Sequence, residues 1–79
     1  MLEVICRNRG EHRVFASRIE EVRMGQPVVM VMESGAERAL DEGMKQPSPG
    51  DWLLISNDGV AAVITDEQYR QRCTPVGGE

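Results

Sequence analysis

Short apolar runs alternate with polar punctuation along this chain, and their spacing predicts strands over most of its length. Leu2 to Arg7 sets Val4 and Ile5 among charged residues, and Asn8 to Glu11, with Gly10, forms a turn before a second strand at His12 to Ser17. Ser17 to Met24 is ambiguous, because Ile19 and Val22 stand three apart, as they would on a helix face. β-Branched residues in so short a segment suit a strand better, and the following Met24-Gly25-Gln26-Pro27 invites a hairpin. Pro27 to Glu33 is the most apolar run and predicts a strand covered on both faces, or one whose second face is an interface, with Val28, Met30 and Met32 on one side, core filling the stronger reading of the two methionines, and Val29 and Val31 on the other.

Beyond Ser34-Gly35 a short strand reaches towards Leu40, and the polar Asp41 to Ser48 reads as a loop with Met44 its apolar anchor. Pro49-Gly50 turns the chain into a strand from Asp51 to Ser56. Asn57-Asp58-Gly59 then supplies the residues that tolerate the positive φ of a tight hairpin, returning as Val60 to Ile64. The period changes at Thr65. Thr65 as N-cap, Asp66 and Glu67 in the first turn, Gln68 at the capping-box position and Arg70 and Arg72 near the end predict a helix to Cys73. Tyr69 and Cys73, four apart, would share its packed face, Pro75 would stop it, and residues 77–79 would fray. The expected fold is therefore α+β, one domain over residues 1–76. It is a strongly curved antiparallel sheet of five to six short strands with one C-terminal helix packed on it.

Seventy-nine residues allow one thin core, built mainly from Val, Ile, Leu and Met because Phe15, Trp52 and Tyr69 are the full aromatic set. No run approaches the ~18 apolar residues of a membrane span, and the start turns charged too early for a signal peptide, so the expected setting is cytoplasmic. Cys6 and Cys73 are then expected to be free thiols behaving as small buried hydrophobes, with a disulfide the open alternative. With His12 they make three irregularly spaced ligands, short of a zinc site, and no cofactor or metal is expected.

Charge is uneven: residues 1–24 hold five arginines against four acids, whereas residues 25–79 hold four bases against nine acids. The acidic balance argues against a phosphate-backbone binder. Arg7, Arg9 and Arg13 could still form one anion patch, against the simpler expectation of cross-strand pairs to Glu3 and Glu11. Asp51 and Asp58 lie at opposite ends of one strand, roughly 20 Å apart, too far to act as a catalytic pair. Asp51 is expected to bond to backbone in the Pro-Gly turn. His12 with a cysteine would make a nucleophile pair only if the fold joined them.

From Ala16 onward the chain resembles a group of small tailed-phage and prophage proteins with a Pro-Gly-Asp-aromatic motif, sometimes called PGDYG-like. Pro49-Gly50-Asp51-Trp52 matches the motif, Asp58-Gly59 the hairpin turn, Tyr69 the helix aromatic and Thr74-Pro75-Val76 the closing segment, while Cys73 stands where an aromatic is usual. The resemblance implies a small β-rich phage protein with no catalytic residue. On that basis the chain is expected to act without catalysis as an accessory protein that binds a host protein or complex, for example as an inhibitor of a host defence (anti-CRISPR-like). The contact residues would come from the acidic Glu33, Glu37, Asp41 and Glu42, from Met30 and Met32 on the Val/Met strand, which could also pair edges in a homodimer, or from Trp52. For Trp52, burial with its indole N–H on a carbonyl is the stronger expectation in so aromatic-poor a chain. A nucleic-acid module using the arginines and a minor virion protein are the alternatives.

Overall fold

A computed structural model describes residues 2–76; the tail at 77–79 lies outside the described residues. Seven strands and one helix follow in the order β1 (Leu2–Arg7), β2 (Glu11–Arg23), β3 (Val29–Met32), β4 (Glu37–Ala39), β5 (Trp52–Ser56), β6 (Ala61–Ile64), α1 (Asp66–Arg72) and β7 (Cys73–Pro75). All pairings are antiparallel, so the α+β expectation holds with one or two strands more than the hydrophobic pattern predicts.

β2 organises the sheet. The two segments read separately from the sequence are one strand of 13 residues. Its residues 11–16 pair with β1, residues 14–18 with β5 and residues 19–23 with β3. Because Val14 to Ala16 face β1 and β5 at once, those two strands lie on opposite edges of β2. β3 follows β1 end to end on the same edge, where the Glu33 amide bonds to the Arg18 carbonyl. A register shift between Ile19 and Glu21 inserts one extra residue into β2. The insertion resets the alternation, so Ile19 opposes Met32 and Val22 opposes Met30 on one face.

Two apolar clusters result. On one face Val4, Cys6, Val14 and Ala16 pack with Tyr69 and Cys73, bordered by Trp52, Leu54 and Ile64. On the other, Ile19, Met30, Met32, Leu53 and Val63 pack with Val22, Leu40 and Met44. Met30 and Met32 are 0% and 3% exposed, so they fill the core, and the alternative use of their thioethers as a contact surface does not hold. Nor can β3 pair edges with a second copy, since β2 and β4 already flank it.

The helix begins as its residues dictate. The Thr65 hydroxyl accepts from the Gln68 amide at 3.1 Å, and the Gln68 side chain accepts from the Thr65 amide at 3.1 Å. It ends at Arg72, earlier than expected. Cys73 is extended, at φ −119° and ψ 144°, and opens β7, which runs antiparallel to β1. Pro75 therefore sits in a strand and does not act simply as a helix stop. The register Cys6↔Cys73 brings the two sulfurs together in a disulfide, correcting the expectation of free thiols. It joins the two ends of the described chain across a sequence separation of 67 residues.

Candidate partner-binding groove

Between the start of β1 and the end of β3, on the face carrying the first cluster, lies a groove of about 300 Å³. Leu2, Ala16, Met32 and Trp52 give it apolar walls; Ser17 and Ser34 add hydroxyls, and Arg18 and Glu33 stand together at 3.8 Å. Each wall follows from the register. Leu2 opposes Ala16, Arg18 opposes Trp52, and Ile19 opposes Met32, so residues up to 50 positions apart in sequence meet around the middle of β2. Leu2 is 43% exposed, which leaves a large aliphatic side chain open at the mouth.

Trp52 is half-buried and held on two sides. Its ring stacks on Tyr69 at a centroid distance of 3.8 Å and 7° between planes, and its indole N–H donates to Asp66 Oδ1 at 2.9 Å. The acceptor is a carboxylate where a carbonyl was expected. Burial, and secondarily the negative Asp66, push the Tyr69 phenol above its ordinary value near 10, so it stays neutral against the indole. Asp66 also pairs with Arg70 at 3.0 Å. These contacts fix the ring plane that forms one wall of the groove.

The groove gathers two of the accessible residues expected to make contacts, Glu33 and Trp52, while Met32 reaches it only as part of the core beneath. The other acids are placed elsewhere and compensated. Glu37 pairs with Arg23 at 3.3 Å and Asp41 with Arg38 at 3.2 Å, while Glu42 is exposed on the loop after β4. Leu2, Ser17 and Ser34 were not singled out from the sequence. The exposed Leu2 at the head of a strand is a signal that could have found the first of them.

The arginine patch resolves into cross-strand pairs, Arg7 with Glu11 at 3.2 Å and Arg13 with Glu3 at 3.6 Å, leaving Arg9 exposed in the turn at φ 57°. Asp51 accepts from the Ser48 amide at 2.9 Å, as expected for the Pro-Gly turn. His12 does stand opposite Cys6, but that sulfur is bonded to Cys73, and the ring Nε2 lies 3.2 Å from the Asn8 carbonyl oxygen. His12, Ser56 and Asp58 line a second depression of about 390 Å³ beside the disulfide. There the Ser56 hydroxyl donates to Asp58 rather than to His12, and that bond with the Val60 amide holds the Asp58 carboxyl below its ordinary value.

Chemically the groove can seat an apolar side chain against Leu2 and Trp52 while Arg18 and Glu33 meet polar groups at the rim. No protein-family model, curated protein or solved structure matches the chain. Among the described residues no helix is long and apolar enough to cross a membrane.

Proposed function

We propose that this chain is a non-enzymatic accessory protein of a tailed phage or prophage that binds a host protein, with the Leu2–Trp52 groove as its contact surface. The reading extends to inhibition of a host defence or regulatory complex, in the manner of an anti-CRISPR protein. The observation that carries it is the convergence of an exposed aliphatic residue, a rigidly held tryptophan and a charged pair on one groove. Aromatic anchors in preformed apolar hollows, ringed by polar groups, are the usual centres of protein interfaces. Trp52 loses little freedom on binding because Tyr69 and Asp66 already fix it.

The test is a pull-down from host lysate with tagged wild-type protein beside L2D and the charge reversal E33R. A stoichiometric host protein retained by the wild type, lost from both variants and rebinding one-to-one when purified is the expected result. Background proteins alone would count against the reading. Capture surviving both groove variants but lost on reversing Glu37 and Asp41 would move the contact to the β4 side.

A further inference from the structure

Among the described residues three strands of this sheet have a single neighbour, and they are not equally guarded. β4 carries Glu37 and Arg38, each in an ion pair, and β7 ends in Pro75, which has no amide to donate. The stretch of β2 beyond β5 is lined by Glu20, Glu21 and Arg23. These are the devices by which sheet edges avoid pairing with other chains. β6 has none of them: its sequence is Ala-Ala-Val-Ile, it pairs only with β5, and its register with β5 runs without a bulge.

The hydrogen-bond alternation shows what this edge offers. The Ser56 amide donates to the Val60 carbonyl, so in this antiparallel ladder Ala62 and Ile64 also face β5. The amides and carbonyls of Ala61 and Val63 therefore point outward. They are matched by an identical strand turned about a twofold axis through Ala62. In that register Ala61 lies opposite the partner subunit's Val63, and Val63 opposite the partner subunit's Ala61, forming four hydrogen bonds that use every outward group of both copies. Shifting the axis to Ala61 would demand pairing from Gly59, which sits in the hairpin turn at φ 88°. Shifting it to Val63 would demand pairing from Thr65, whose amide is committed to Gln68. At the axis Ala62 is exposed and small, which suits the close approach of a non-hydrogen-bonded pair, and no charge on the strand opposes its own copy.

We propose that β6 is a dimerisation edge, at which two copies of this chain join through antiparallel β6–β6 pairing centred on Ala62. The surface is separate from the groove, so its test stands whatever the groove binds. Sedimentation equilibrium over a wide concentration range reads the association. The wild type is expected to show a reversible monomer–dimer equilibrium. A62K, which sets two ammonium groups face to face on an exposed position, is expected to weaken it at least tenfold. A61P is expected to do the same, because it removes an outward amide while leaving the β5 ladder intact. Circular dichroism shows whether each variant is folded, and either folded variant decides the question. A wild type that stays monomeric throughout overturns the proposal, as does a dimer that survives a folded A62K or A61P.

Discussion

Trp52 shows how much one side chain can carry in a chain with three aromatics. It borders the first cluster, stacks on Tyr69 and bonds to a carboxylate in the first helical turn, so it ties β5 to α1. Trp52→Phe keeps the stack and removes the donor. Because both partners of that hydrogen bond are only half-buried, a loss of about 1 kcal/mol is expected by urea unfolding. The phenol beside it sets an alkaline limit. Its proton is held more tightly in the folded than in the unfolded chain, so stability should be level below the ordinary value near 10 and fall as pH rises through the folded value. Unfolding measured across that range should show the decline in the wild type and its absence in Tyr69→Phe. Asp58 works in the opposite direction: its depressed carboxyl favours the fold above its ordinary 3.8, and the gain fades as pH falls. Removing the donor with Ser56→Ala should bring the Asp58 titration, followed by carboxyl NMR, back towards that ordinary value.

At the scale of elements, the pieces with local chemistry were legible and those made by pairing were not. The capping box of α1 and the Asn57-Asp58-Gly59 hairpin need only neighbouring residues, and both stand where their residues place them. The strand reading of Ser17 to Met24 holds, and the helical spacing of Ile19 and Val22 that competes with it is produced by a bulge, which no local propensity reveals. β7 is missed for a related reason. Cys-Thr-Pro has no apolar alternation and becomes a strand only because β1 offers its edge and Cys6 its sulfur. The resulting link should matter for stability, since it ties β7, a strand of only three residues, covalently to β1. Replacing Cys6 and Cys73 together with alanine, or reducing the wild type, should lower the unfolding free energy by about 2–4 kcal/mol. An unchanged denaturation midpoint under reductant would show that β7 and α1 hold without the bond.

At the scale of the whole molecule, the groove was half visible. Glu33 and Trp52 were expected to make contacts for unrelated reasons, and only the register around β2 makes them neighbours, with Leu2 completing the set and the buried Met32 beneath. The same register couples the two cores. Along β2, Val14 and Ala16 face the first cluster and Ile19 the second; along β5, Trp52 and Leu54 border the first while Leu53 fills the second. Neither cluster has a strand set of its own, so neither should persist when the other is lost. For a chain of this size the total stability is of the order of 4–12 kcal/mol. Leu53→Ala, at a site 2% exposed, should remove about 3 kcal/mol of it. The coupling is read from the probe, because Trp52 reports on the opposite face from the substitution. Tryptophan fluorescence and far-ultraviolet circular dichroism should shift to the same lower midpoint and remain superimposable. If the fluorescence midpoint stays in place while the dichroism signal splits, the shared strands do not bind the two cores into one cooperative unit.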